Sequence, residues 1–347
     1  MALIPKFLGS VNFGMEATAG TGVVENATAT LSFTEGSFSD TPVMGKFEGL
    51  GAGLTSEDSY MLGRDVGYSL AGHVYLDDIG YICAHGFGGY TFATATHTWS
   101  GADYSDTTRE NNLQPWSVIL SQGSLGESSG HHFRVQGATC SSFEITGSER
   151  EALSWKVDGN SFSVAEYATV ATADLPAENP LEFGMGVFQL GLGTETPNVA
   201  IYPTEMTVSV NHNSQTLRNM TTGTEKYDTG AIISGKREVT ASIKIPYDDG
   251  ASAIKDGLWD LLGGGAGGGT SPNASGGYVS FDATWTVGSE VFVITIPKAK
   301  ITNSPWDTND GSTDPFYVTL ELEAYGTDPS FALTDAAVED TYHTAAA

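Results

Sequence analysis

Two pairs of adjacent aspartates, Asp77-Asp78 and Asp248-Asp249, are the residues of this 347-residue chain that look best placed to do chemistry. Paired carboxyl groups are what glycoside hydrolysis requires, one acting as acid and the other as base or nucleophile. Each pair, however, closes a run of alternating and β-branched residues, and each is followed by apolar residues at near-helical spacing. These are Ile79, Ile82, Cys83 and Phe87 after the first pair, and Ile254, Leu258, Leu261 and Leu262 after the second. A carboxylate at such a junction accepts a hydrogen bond from an orphan backbone N–H and complements the positive end of the helix dipole. Helix N-capping by Asp77, Asp78, Asp248 and Asp249 therefore explains both pairs without catalysis.

The remaining candidates weaken in the same way. His131-His132 is the one histidine pair, and neighbours on a strand point to opposite faces, so the two cannot easily share a metal ion. Asp307-Thr-Asn309-Asp310-Gly311-Ser-Thr-Asp314 has the oxygen-rich make-up of a calcium loop, yet its acidic residue before the glycine comes one position early and no Glu closes it. A polar turn is the simpler reading, with a weak cation site left open. Gly263 to Gly269 is not followed by Gly-Lys-Ser/Thr and so is no phosphate cradle. Cys83 and Cys140 lack metal-ligand spacing; two buried thiols or one disulfide both fit. The six tryptophans are scattered, as core residues or subunit contacts are. No catalytic residue, cofactor or metal is expected, and the chain is not expected to be an enzyme.

Charge narrows the partners. There are 42 acidic residues against 15 Lys and Arg, a formal net charge of −27. Duplex binding draws its affinity from basic side chains that displace counterions at phosphates, so tight nucleic-acid binding is excluded. Excess acid costs stability through self-repulsion, a cost that falls when molar salt shortens the Debye length to about 3 Å. A salt-loving host is the environment this suggests. The first residues lack the basic start and apolar core of a signal peptide, and no window approaches the ~20 apolar residues of a spanning helix. A soluble protein with no membrane partner is expected.

The elements around the aspartates repeat. Gly67-Tyr-Ser-Leu-Ala-Gly-His-Val-Tyr-Leu-Asp77-Asp78 lies without gaps on Glu238-Val-Thr-Ala-Ser-Ile-Lys-Ile-Pro-Tyr-Asp248-Asp249. In both copies a strand leads to a short helix that ends in glycines, Gly86-Phe-Gly88-Gly89 and Gly263 to Gly269. Alternating strands then resume: Trp116 to Leu120, His132 to Ala138 and Ser142 to Thr146 in the first copy, and Tyr278 to Val287, Val291 to Ile301 and Tyr317 to Tyr325 in the second. The fold class expected is mainly β, with two tandem β-sandwich or barrel-like modules, each with one short helix. Small residues and two prolines in Ala171 to Pro180 break all periodicity. The modules are thus expected at 1–172, with an N-terminal arm, and 173–330, leaving 331–347 as a tail or arm.

This order of elements, together with Phe13-Gly-Met-Glu16-Ala-Thr-Ala-Gly20-Thr21 near the start, resembles the tail tube or major tail proteins of long-tailed, siphovirus-like viruses, in the version with two tube modules per chain. The resemblance spans nearly the whole chain and rests on no single diagnostic motif. It implies a structural virion protein, made in the host cytoplasm and located in the tail. Three chains would form a pseudo-hexameric ring, and rings would stack into a hollow tube for genome passage. The partners implied are further copies of the chain, the tail tip and tail terminator proteins, and double-stranded DNA that passes through without specific binding. The resemblance also implies that loops near 51–66 and 219–236 contact the next ring. Alternatives are another virion component, such as a capsid decoration or baseplate protein, a cell-surface adhesion β-sandwich, and a carbohydrate-active enzyme.

Overall fold

Alternation of buried and outward-facing positions, the signature of a half-buried strand, runs through most strands of the protein. Glu238–Pro246, for instance, buries Val239, Ala241, Ile243 and Ile245 and turns the residues between them outward. The computed structural model describes residues 10–16, 29–47, 58–101, 115–122, 131–167, 179–218, 229–246, 278–303 and 317–335.

The first half of the chain forms β1 (Ser10–Met15), β2 (Ala29–Leu31), β3 (Glu35–Phe47), β4 (Asp58–His73), helix α1 (Leu76–Gly86), β5 (Tyr90–Ala93), β6 (Thr96–Trp99), β7 (Trp116–Gln122), β8 (His131–Ser148), β9 (Ser154–Ser161) and β10 (Ser163–Tyr167). A 3-10 turn at Phe183–Met185 precedes β11 (Val187–Leu192), β12 (Val199–Ile201), β13 (Glu205–Asn211), β14 (Gln215–Arg218), β15 (Thr229–Ile233), β16 (Glu238–Pro246), β17 (Val279–Val287), β18 (Glu290–Ile301), β19 (Tyr317–Ala324) and β20 (Ser330–Thr334). The class is mainly β, and every pairing among the described strands is antiparallel.

The pairing follows one circuit twice. In the first half β2 pairs with β1, β1 with β7, β7 with β8, β8 with both β10 and β9, β9 with β4, and β4 with β3. In the second half β12 pairs with β11, β11 with β17, β17 with β18, β18 with both β20 and β19, β19 with β16, and β16 with β13. Taken in chain order, β1, β2, β3, β4, β7, β8, β9 and β10 thus match β11, β12, β13, β16, β17, β18, β19 and β20. Two more pairings join the halves, β8 with β13 and β6 with β20.

Long strands carry this circuit from one sheet portion to the other. The first part of β8 pairs with β7 and β10, and beyond Ala138 it turns to pair with β9 and β13. The two sheet portions it links face each other across apolar side chains: Phe38 of β3 meets Phe133 of β8 with ring centroids 4.8 Å apart. One continuous core runs through both halves and includes the fully buried Trp99, Trp116, Trp155 and Trp285. Burying a side chain such as Phe143 or Phe281 stabilises the fold by about 1.5–3 kcal/mol each, which makes this core the main source of stability. Trp259 and Trp306 lie outside the described residues.

Helix α1 lies where the spacing of Ile79, Ile82 and Cys83 predicts, and all three are buried. Its end is set by the glycines that follow: Gly88 and Gly89 have φ of 72° and 64°, a region costly for residues with a Cβ. At Gly89 a Cβ would also lie 1.9 Å from the carbonyl oxygen of Gly101, so this position demands glycine twice over. The helix expected in the second copy, with Asp248 and Asp249 at its start, lies outside the described residues.

Three expectations need correction. Asp77 and Asp78 are not the N-cap of α1: Tyr75 holds that position without a side-chain bond, and the aspartates lie within the first turn, two and three residues further on. The reason is that the helical turn already starts at Leu76, whose side chain is drawn into the core. Second, residues 331–334 are no tail. They belong to β20, with Phe331 and Leu333 buried between β18 and β6; Pro329 just precedes the strand and hides its short alternation. Third, residues 58–66 of the expected 51–66 loop extend β4 in a long hairpin with β3, and 229–233 form β15 rather than loop.

Candidate assembly surface

Of the four aspartates, Asp78 is a fastening, Asp77 is exposed, and Asp248 and Asp249 lie outside the described residues. Asp78 is buried, and its Oδ2 accepts a hydrogen bond of 3.1 Å from the Ser32 backbone N–H, tying the segment before β3 to the start of α1. Burial raises its carboxyl to about 6 against the lowering effect of the Ser32 bond, with Asp77 adding to the rise. His85, at the other end of α1, is buried beside Tyr68, whose hydroxyl meets Nε2, and packs edge-on against Phe13 and Trp116. Burial lowers it to about 3, helped by His212. His212 donates from Nε2 to the Gly86 carbonyl at 2.7 Å and is lowered to about 4 by burial, against the raising effect of that carbonyl. Because His212 follows β13 directly, this bond ties the end of α1 to the second half of the chain.

Glu16, in the opening run that starts at Phe13, is fully buried. Its Oε1 accepts from the Ser117 hydroxyl at 2.7 Å and from the Gly137 backbone N–H at 2.9 Å, which pins β1 to β7 and β8. Cys83 and Cys140 are buried, free thiols, both pushed up by burial. His131 and His132 are neighbours on β8. Among the described residues no group of three His, Cys, Asp or Glu could hold a metal ion, and no helix is long and apolar enough to cross a membrane. The 307–314 segment lies outside the described residues.

What the structure assembles instead is a broad sheet face. The joint between β8 and β13 makes β3, β4, β9, β8, β13, β16, β19 and the end of β18 continuous. Tyr68, Leu70 and Gly72 of β4 and Met206, Val208 and Val210 of β13 pack on the core, so the odd-numbered residues beside them make the open face. One row across it reads Glu35, Ala71, Lys156, Glu144, Ser209, Thr240, Glu323, Lys300. The parallel row begins Ser37, Ser69, Asp158, Ser142, Asn211. Small hydroxyls and carboxylates dominate, and the basic residues are engaged. Lys156 binds Asp158 at 3.0 Å, Lys244 binds Glu205 at 2.9 Å, and Lys300 lies over the ring of Tyr325. The surplus charge on the face is therefore negative. A shallow groove of about 290 Å³ crosses it between Ser37, Ser69, Asp158 and Asn160, and its lining contains no histidine or cysteine.

No protein-family model and no curated protein matches this sequence.

The edges of this sheet distinguish its two ends. In the joint, Glu149 N–H donates to the Thr204 carbonyl at 2.8 Å and His212 N–H to the Ser141 carbonyl at 2.9 Å. Antiparallel ladders alternate hydrogen-bonded and non-hydrogen-bonded pairs. The even-numbered residues of β13 thus direct their backbone groups to the odd-numbered residues of β8, making Phe143 and Val210 a hydrogen-bonded pair. At the far end of β18, Thr302 N–H donates to the Glu321 carbonyl at 2.8 Å and Tyr325 N–H to the Lys298 carbonyl at 3.0 Å. By the same alternation Ile301 turns its backbone groups away from β19, where no strand among the described residues receives them. β3 likewise pairs with β4 on one side only. None of this was visible in the sequence, because an edge is defined by which strands pair and not by composition.

Proposed function

We propose that this chain is a structural virion protein, the subunit of a tail tube that self-assembles into rings and stacks them into a channel for genome passage. The observation that carries the reading is the circuit of strand pairing followed twice, with a strand-to-strand joint between the halves and open edges at both ends of the resulting sheet. A unit that joins to its own copy within one chain is suited to join to the next chain in the same way, and a head-to-tail contact of this kind closes into a ring when the rotation allows. Closure also removes edges that would otherwise promote uncontrolled aggregation.

On this reading the modules are 1–172 and 173–330 in outline, with the second extended to Thr334 by β20. The chain has no catalytic role and needs no cofactor. A homotrimeric, pseudo-hexameric ring would turn the smooth, acidic sheet face toward the lumen. There its surplus carboxylates repel DNA phosphates, so the genome slides without adhering. Tail tip and tail terminator proteins would end the stack, the assembled protein would reside in the virion tail, and the net charge of −27 fits a halophilic host.

Negative-stain electron microscopy of the purified chain in low and in molar salt tests this. Rings or hollow tubes, more abundant in molar salt, are the expected result. Monodisperse monomers under every condition would overturn it.

A further inference from the structure

We propose that β3 of one copy pairs antiparallel with the end of β18 of a neighbouring copy, in the register Phe38 to Ile301, Ser37 to Thr302 and Ser39 to Lys300. This specifies the contact in the self-assembly reading above and rests on it. The assignment comes from the joint inside the chain. Along the gapless match of Gly67–Asp78 with Glu238–Asp249, buried Tyr68, Leu70, Gly72 and Val74 fall on buried Val239, Ala241, Ile243 and Ile245. Carrying this match through the pairing of β4 with β3 and of β16 with β13 sets Ser37 on Ser209 and Phe38 on Val210.

Carrying it through β9 and β19 sets Val157 on Leu322, and through their own partners Phe143 on Ile301. The joint within the chain pairs Val210 with Phe143 and Ser209 with Glu144. The same joint between copies therefore pairs Phe38 with Ile301 and Ser37 with Thr302. An independent observation agrees: Thr302 spends its N–H on Glu321, so Ile301 is the residue whose backbone faces outward, as a partner to Phe38 must. In both joints the core-side residues, Phe143 and Val210 in one, Ile301 and Phe38 in the other, are apolar, while the flanking residues on the open face are polar. β10, the counterpart of β20, pairs with β8 alone among the described strands, whereas β20 also receives β6. A second edge at the same end is thus open in the same sense.

Ser37 and Thr302 form a non-hydrogen-bonded pair in this register, the kind in which side chains approach most closely, and both are exposed. Ser37→Cys with Thr302→Cys, oxidised in molar salt and run without reductant, should yield a ladder of covalent multimers. Yield should drop at least tenfold for the shifted pair Ser39→Cys with Thr302→Cys. Ser209→Cys with Glu144→Cys should consume its thiols within a single chain. Hydrogen exchange on the unaltered protein supplies the second measurement: amides around Phe38 and Ile301 should slow at least tenfold on assembly. Rings without the ladder, without that protection, or with the shifted pair favoured would overturn this register while leaving self-assembly standing. Thiols of the Ser37 and Thr302 variant consumed within one chain would also overturn it, and absence of both assemblies and ladder would overturn register and self-assembly together.

Discussion

β13 and β3 occupy the same place in two copies of one pairing circuit, yet β13 has a strand on each side and β3 on one. β13 bonds β16 and β8; among the described strands β3 bonds β4 alone. The difference does not lie in local composition, since both strands alternate polar and core-facing residues. It lies in chain connectivity: the first half supplies β8 to the second, and no strand among the described residues supplies an equivalent to the first. On the self-assembly reading proposed above, a strand whose counterpart is satisfied internally marks where a second molecule would pair.

Breaking the filled joint should have the largest effect. Val208 is buried and directs its N–H to β8. Val208→Pro should cost about 3 kcal/mol or more of stability, read as a fall in the denaturant midpoint of the isolated chain. At the open edge Ile301→Pro should cost about 1 kcal/mol and leave the monomer folded, yet prevent assembly by sedimentation. Equal losses of stability at the two sites would erase the distinction.

Proton linkage separates α1, with its two buried anchors, from the rest. The folded carboxyl of Asp78, near 6, lies above its unfolded value near 3.9. Stability from this group is therefore present at acid pH and is lost as pH rises through roughly 4 to 6, by about 3 kcal/mol at most. Asp78→Asn, whose Oδ1 can still accept from Ser32, should raise the melting temperature at pH 7 and make no difference near pH 4. His85 and His212 act in the opposite sense. Their folded values, about 3 and about 4, lie below an unfolded 6.5, so their stabilising effect is full above pH 6.5 and is lost as pH falls toward 4. His212→Gln, which can still donate to the Gly86 carbonyl, should soften the acid limb of the stability profile by about 1–2 kcal/mol between pH 7 and 4.

The smallest effect sharpens the register. Ser39→Lys would face Lys300 of the next copy and weaken assembly by about 0.5 kcal/mol per contact, whereas Ser39→Glu would strengthen it by a similar amount. Both changes should fade in molar salt, and both are read from the critical concentration for assembly.

The mainly β class, α1 and the strands at Trp116, Tyr278, Val291 and Tyr317 were legible because period two and near-helical spacing are local signals. The strands β9 to β13 were not assigned, although Glu205–Asn211 alternates buried and outward-facing residues. Nor was β20, five residues just behind a proline. Asp77 and Asp78 were found as a helix start, but their offset of two and three residues from the cap was not, because the entry of Leu76 into the core is a tertiary choice. The proposed assembly surface was illegible for the same reason: Ser37, Ile301 and Thr302 carry no compositional mark, and only the pairing of distant strands makes them edges.

The central claim, that the joint within the chain is repeated between chains, is tested most directly by counting. Native mass spectrometry of isolated rings gives the number of chains, and class averages of the same rings viewed end-on give their rotational repeat. The account predicts a low-resolution repeat at twice the chain number, six for three chains on the trimeric reading. A repeat equal to the chain number, with no internal halving, would contradict it.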